Sequence, residues 1–340
     1  MRLSILLAGI AALGLLATQE ARAGATLNNI KQKGFVQCGV NVSGLPGFAE
    51  VDANNNWKGM DIDLCRAVAA ALFGDATKVK YTPLNAKERF TALQSGEIDV
   101  LSRNTTWTSS RDTQLGLNFT GVNYYDGQGF MVRKALKVNS ALELNDAAIC
   151  VQQGTTTELN LADYFRANKM KLKTVTFASA NEAVKAYDAG RCDAYTTDAS
   201  GLYAERLRTV NPNDHVVLPE IISKEPLGPS VRHGDDQWFD IVKWVHNAMV
   251  IAEELAVTKA NVDEMVKSDN PEIKRLLGSE GKHGEALGLT NDWAYRIVKH
   301  VGNYGEVFER TVGQGSPLKI SRGINALWSK GGLQYAPPVR

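Results

Sequence analysis

The chain has 340 residues, 44% hydrophobic and 22% charged, with a formal net charge of +1. That length suffices for two domains. Near-neutrality argues against nucleic acid, or an anionic membrane surface, as the main partner.

The first stretch reads as a targeting segment. Met1-Arg2 gives a positive start, residues 3–17 form an apolar core, and Ala21-Arg22-Ala23 fits the small-x-small cleavage rule. Residues 1–23 are therefore expected to be a signal peptide cut after Ala23, leaving an exported, soluble, periplasmic chain. The alternative is an uncleaved anchor, although the apolar core is short for a bilayer. No cysteine sits at the cut, so no lipid anchor is indicated.

Beyond the cut, residues 27–33 read as a short helix stopped by Gly34, and 35–40 as a strand. Residues 41–56 are rich in Gly, Pro and Asn and predict a loop. A helix follows over 60–73, with Asp61 and Asp63 in its first turn. A strand over 79–83 and a helix over 86–94 complete the alternation of a parallel α/β lobe.

Residues 92–111 are the most informative stretch. A helix ends at Gly96, a short buried strand spans 98–101, and then Ser102, Arg103, Asn104, Thr105 and Thr106 lead on to Arg111. Open parallel sheets bind ligands at the carboxyl ends of their strands. A strand that ends in hydroxyls, an amide and an arginine resembles the mouth of such a site. A solvated Ser/Thr loop reads equally well from this stretch alone.

Residues 118–132 mix aromatics with glycines and predict a hinge-like crossing, then a strand. A second α/β pattern follows: strand 148–152, Gly154-Thr155-Thr156, helix 159–168, strand 174–177, helix 181–189, strand 192–196. Residues 216–229 carry three prolines and read as a second crossing. A long amphipathic helix spans 235–254, and helical segments with polar loops occupy the rest, read as an appendage that buttresses one lobe.

The phrase at Gly96–Val100 returns at Gly190–Ala194, which aligns Asn104 with Asp198. The repeat suggests two lobes, each offering a strand end to something held between them. Four cysteines in an exported chain suggest two disulfides, with three connectivities open. Bonds within lobes would leave the lobes free to move, so Cys38–Cys65 and Cys150–Cys192 are expected.

Three groups could bind a zwitterion. Arg111 is a candidate carboxylate clamp, because a guanidinium offers two parallel hydrogen bonds. The helix start at Thr156 could receive an anion, or could be a plain N-cap. Asp198 could pair with an ammonium, cap the following helix, or both. Enzyme signatures are sparse: the five histidines show no metal-ligand spacing, and no nucleophile elbow, P-loop or dinucleotide fingerprint occurs. No cofactor is expected.

These residues resemble the solute-binding proteins of polar amino-acid ABC importers (family 3), with the general L-amino-acid branch nearest. The likeness rests on G-M-D-I-D-L-C-R-A-V-A at 59–69, A-L-Q-S-G-E-I-D-V at 92–100, T-x-x-R at 108–111, Q-G-T-T-x-E at 153–158, and G-R-C-D-A at 190–194 with Asp198. It covers about 27–254 by lobe order, and continues to the C-terminus through D-W-A-Y-R-I-V-K-H-V-G-N-Y-G-E at 292–306 and G-G-L-Q-Y-A-P-P-V-R at 331–340.

The resemblance implies a two-lobed α/β periplasmic binding protein fold (type II) with two crossings. Lobe 1 would comprise 24–125 and 228–265, lobe 2 would comprise 126–227, and 266–340 would be an extension packed on lobe 1. It implies a monomer that delivers a free L-amino acid to an inner-membrane ABC permease and makes no bond. Arg111 would hold the α-carboxylate and Asp198 the α-ammonium, with Thr106 and Thr156 adding hydrogen bonds.

Arg103 and Asn104 stand where many relatives carry Ser or Gly. Arg103 either reaches the ligand side chain, favouring acidic or amide ligands, or points to solvent. In the first loop, Asn41 to Phe48, many relatives place a ligand-covering tyrosine; Phe48 is the candidate substitute. The alternatives are a periplasmic enzyme of the same fold, such as a dehydratase of amino-acid-like substrates, and a sensory module.

Overall fold

The computed structural model describes residues 24–340; the expected signal peptide, residues 1–23, lies outside them. Lobe 1 opens with α1 (Ala25–Lys33) and β1 (Val36–Asn41). A hairpin of β2 (Glu50–Val51) and β3 (Trp57–Lys58) leads to α2 (Met60–Phe73), then β4 (Val79–Leu84), α3 (Glu88–Ser95), β5 (Val100–Leu101), α4 (Ser109–Thr113) and β6 (Leu117–Phe119). Two carboxylates favour the positive start of α2, and Gly74, at φ 65°, ends it in a left-handed turn. The short α4 occupies a stretch expected to be loop; the Thr108 hydroxyl caps it by accepting from the Arg111 N–H.

The chain crosses through β7 (Tyr124–Asp126) into lobe 2. There β8 (Gln128–Arg133), β9 (Ala148–Gln152), α5 (Thr156–Ala167), β10 (Lys173–Phe177), α6 (Ala180–Asp188), β11 (Ala194–Asp198), α7 (Ala199–Arg206) and β12 (His215–Val217) follow. It returns through β13 (Glu225–Leu227) to β14 (Ser230–Arg232) and α8 (Asp236–Glu254). The two sheets share one plan. Lobe 1 runs β4-β1-β5-β14-β6 and lobe 2 runs β10-β9-β11-β8-β12. In each, three parallel strands meet an antiparallel return strand. The recurring sequence phrase leads into the middle strand, β5 in one sheet and β11 in the other. Across the crossings, β7 and β13 pair antiparallel, with Tyr125 opposite Pro226.

Strand alternation divides lobe 2 into two cores, one on each sheet face. Phe130, Val132, Ile149 and Val151 pack one face with Leu161 and Phe165. Met131, Cys150 and Tyr195 pack the other with Tyr187 and Leu202. Beyond α8 come α9 (Val262–Met265), α10 (Pro271–Leu277), α11 (His283–Ala286), α12 (Trp293–His300) and α13 (Tyr304–Thr311). Ile297, Val298, Val307 and Phe308 merge these helices with the lobe-1 core of α2 and α8.

The disulfides are Cys38–Cys65 and Cys150–Cys192, each within one lobe. Cys150 and Cys192 lie 42 residues apart, so their bond restricts a large unfolded loop. Replacing both with Ser is expected to cost about 2–4 kcal/mol of stability. Ligand affinity should change little, because the bond spans no crossing. Denaturant melts of the variant and the parent, with ligand titrations alongside, check both halves.

Candidate ligand site

The polar segment after β5 is tied to the second crossing. Thr106 bridges Leu227. The Trp107 N–H donates to the Pro226 carbonyl at 2.8 Å, and the Gly228 N–H to the Thr105 carbonyl at 3.0 Å. Asn104 takes a left-handed backbone, φ 32°, which asparagine tolerates. Its N–H donates to Asp61 Oδ2 at 2.9 Å, while Ser102 Oγ donates to Oδ1 at 3.3 Å. Burial pushes the Asp61 carboxyl up to about 6, and these donors oppose the shift. Asn41 Nδ2 donates to Asn104 Oδ1 at 3.1 Å. The Asn104 amide also lies against the Asp198 carboxylate. The two residues aligned by the internal repeat thus meet across the cleft.

Glu225, at the start of β13, joins the lobes. Thr106 Oγ1 of lobe 1 and Thr156 Oγ1 of lobe 2 both donate to its Oε2, at 2.6 and 2.8 Å. Asn160 Nδ2 and Ser223 Oγ donate to Oε1, at 2.6 and 2.7 Å. The two threonine oxygens are 3.3 Å apart, so the lobes are closed on each other. A hydroxyl has one proton. Once spent on Glu225, each hydroxyl turns only lone pairs to the rest of the cleft.

Arg111 is buried, with Nη1 donating to the Thr106 carbonyl at 2.8 Å and its guanidinium 5.1 Å from the Phe90 ring centre. Burial draws its pKa down to about 10, against the pull of Glu225 and Asp198. It stays charged at neutral pH. Asp198 ends β11 and makes no side-chain cap to α7. Burial first, then the neighbouring Asp126 and Glu225, raise its pKa well above the carboxylate range. Asp126 accepts from Ser200 Oγ and, at 2.9 Å, from the Gly127 N–H. Burial pushes it up to about 6.

The structure gathers Arg111, Thr106, Asn104, Asn41, Thr156 and Asp198 into one group, in which Asn104 and Thr156 are half-buried and the others buried. The capping threonine of α5 is Thr155, which leaves the Thr156 hydroxyl for the cleft. Arg103 does not point to solvent. It is buried, with Nε donating to the Leu84 carbonyl at 3.0 Å and Nη2 without a partner. Phe48 lies in the lobe-1 core, edge-on to Tyr124 at 5.5 Å, and its ring is spent there.

Glu225, Asn160, Asp126, Asp61 and Arg89 were not anticipated. Arg89 Nη1 donates to Thr105 Oγ1 at 3.1 Å and to the Arg103 carbonyl at 3.3 Å. The only sequence signal for Glu225 was its place in a proline-rich crossing. Among the described residues, no helix is long and apolar enough to cross a membrane.

The chain is similar along its whole length to the general L-amino acid-binding periplasmic protein AapJ of Rhizobium johnstonii, at 67% identity over all of both chains. It is 56% identical to the glutamate/glutamine/aspartate/asparagine-binding protein BztA of Rhodobacter capsulatus, over 98% of each chain. A solved periplasmic binding protein of an ABC transporter from Brucella ovis, with glutathione bound, superposes with a TM-score of 0.91 at 66% identity. That match covers 93% of this chain and 99% of the other. The profile of the bacterial extracellular solute-binding proteins, family 3, matches residues 36–275. The chain belongs to that family.

Proposed function

We propose that the protein is a periplasmic receptor for free L-amino acids, with acidic and amide side chains such as glutamate and glutamine among its ligands. It delivers them to the membrane permease of an ABC importer. The carrying observation is a buried cluster closed between two lobes, with Arg111 on one and Asp198 on the other. Both charges of a zwitterion lose water on burial, and each needs a full partner. In this reading Arg111 takes the α-carboxylate and Asp198 the α-ammonium. The Thr106 and Thr156 hydroxyls, turned by Glu225, accept N–H donors. Asn41 and Asn104 order the acid side of the site. The unpartnered Nη2 of Arg103 is the candidate selector for side-chain oxygens.

The relatives' names support breadth. Glutathione keeps a free glutamyl α-carboxylate and α-ammonium, so a clamp on those two groups would tolerate both a single amino acid and that tripeptide. Ligand contacts to both lobes favour the closed state by their differential affinity, and the permease reads that state. The signal peptide, cut after Ala23, directs the chain to the periplasm, where it acts as a monomer.

A second reading, an enzyme on this fold, has one observation in its favour. Asp61 and Asp126 are pushed to about 6, near the range useful for acid–base catalysis. Calorimetric titration with L-glutamate, L-glutamine, L-arginine, L-leucine and D-glutamate tests both. Several L-forms should bind tightly and the D-form weakly. Heat from one ligand alone would make the protein a specialist, with Arg103 and Asn104 as selectors. Silence from all five would sink the receptor reading, and product formation would favour the enzyme.

A further inference from the structure

The tail of the C-terminal extension grips the first crossing strand. The Asn325 side-chain amide accepts from the Tyr125 N–H at 2.7 Å and donates to the Tyr125 carbonyl at 3.0 Å. One amide thereby does what a residue of a third strand would do on the free edge of β7. That edge is available because Tyr125 and Pro226 form a non-hydrogen-bonded antiparallel pair: the Pro226 carbonyl turns away to the Trp107 N–H, and both Tyr125 backbone groups turn away from β13. Tyr304 Oη donates to the Asn123 carbonyl at 2.9 Å, and Gln334 Nε2 to the Val122 carbonyl at 3.1 Å. The Phe308 ring stacks on Tyr124, with centroids 6.1 Å apart and planes 5° apart. Asn325 and Gln334 are almost fully buried.

These contacts lead back to lobe 1. Arg322 donates to the Asn325 carbonyl, at 3.2 Å from Nε and 3.1 Å from Nη2, and its Nη2 donates to Glu253 of α8 at 3.1 Å. Its guanidinium lies 4.8 Å from the Phe308 ring centre. The path from α8 through Glu253, Arg322 and Asn325 to Tyr125 is continuous and polar, and half-buried except at the buried Asn325. The second crossing is fixed to the same lobe from Pro226 onward, through the Trp107 and Gly228 N–H groups.

We propose that the extension is a hinge splint. It joins residues 122–125 rigidly to lobe 1, so that rotation between the lobes is confined to Asp126–Gly127 in the first crossing and to the chain before Pro226 in the second. Asn325 is the positioning residue of this device. Both joints then lie beside Asp126 and Glu225, at the edge of the ligand cluster. Because the splint orders the crossing before ligand arrives, closure has less conformational freedom left to remove.

The test places nitroxide labels at Lys78→Cys on lobe 1 and Ala167→Cys on lobe 2, both exposed positions, in the whole mature chain. Distance distributions are recorded without any ligand, so the result stands apart from the amino-acid reading. L-Glutamate affinity is measured separately. Asn325→Ala should broaden the distribution and weaken binding roughly tenfold, the scale of one or two lost buried hydrogen bonds. Trp328→Ala, on the exposed face of the same extension, should leave both as in the parent. If Asn325→Ala does not fold, Asn325→Asp keeps the acceptor for the Tyr125 N–H but loses the donor, and should shift both readouts the same way. An unchanged distribution and affinity, with only a lower melting temperature, would overturn the splint and leave the extension a buttress.

Discussion

Arg111→Ala is expected to weaken L-glutamate binding by about 3–5 kcal/mol, roughly a hundredfold to several thousandfold in Kd. The side chain is almost fully buried, and its anchors fix its direction. Thr108 caps the short helix that carries it, the Thr106 carbonyl takes one of its N–H groups, and Phe90 packs against its plane. A ligand carboxylate that enters the closed cleft without it keeps the desolvation penalty and loses the compensating charge. The variant also removes one of the cations that act on the buried Asp198. Arg111→Lys separates charge from shape: an ammonium keeps the charge but cannot make the planar two-bond contact, so its affinity should fall between the two. Calorimetry gives the affinities, and melts of the ligand-free proteins show whether the fold survives. Near-parental binding by Arg111→Ala would remove Arg111 from the site.

Lobe 1 contributed its half of the site through one short local phrase, and that half was legible for this reason. Strand, turn, hydroxyls and arginine lie within residues 98–111, and the strand end that carries them forms as local spacing suggests. The internal repeat also carried real geometry, since Asp198 ends β11 and the aligned Asn104, in the turn just past β5, lies against it. Glu225 was illegible because nothing near it in sequence resembles a site. Its donors Thr106, Thr156 and Asn160 stand 119, 69 and 65 residues away. Only the closed fold brings them together. Phe48 misled for a different reason. An aromatic in a glycine-rich loop resembles a ligand cover, yet Gly59 approaches so closely that an added Cβ would meet the Phe48 carbonyl oxygen at 2.2 Å. That approach folds the loop back and sends the ring into the core. The extension read as helices with polar loops, which it is. Its grip on the crossing depends on two isolated amides, Asn325 and Gln334, that no periodicity marks.

Asp198→Asn is expected to move binding and stability in opposite directions. Asparagine keeps the shape and can still bond to Asn104, but it offers no charge to an ammonium. Loss of a buried charge partner should cost about 2–5 kcal/mol of affinity for L-amino acids. The ligand-free fold should gain stability at and above neutral pH. Asp198 is buried beside Asp126 and Glu225, so its folded pKa lies well above its unfolded value. Such a group contributes its full stability in the acid range, where both states hold the proton. That contribution is lost as the pH rises through the folded pKa, because the folded chain must then bury a charge that the unfolded chain keeps in water. Asparagine removes that loss, so the two proteins should converge in acid and diverge above neutrality. Binding has the reverse pH dependence. An ammonium ligand selects the ionised acid, so parental affinity should fall as the pH drops through the raised titration range of Asp198. The variant should show a flatter profile. Titrations and melts at matched pH test both signs at once. Parental affinity in Asp198→Asn would place the ammonium elsewhere, with Asp126 and Glu225 as the remaining buried acids that could hold it.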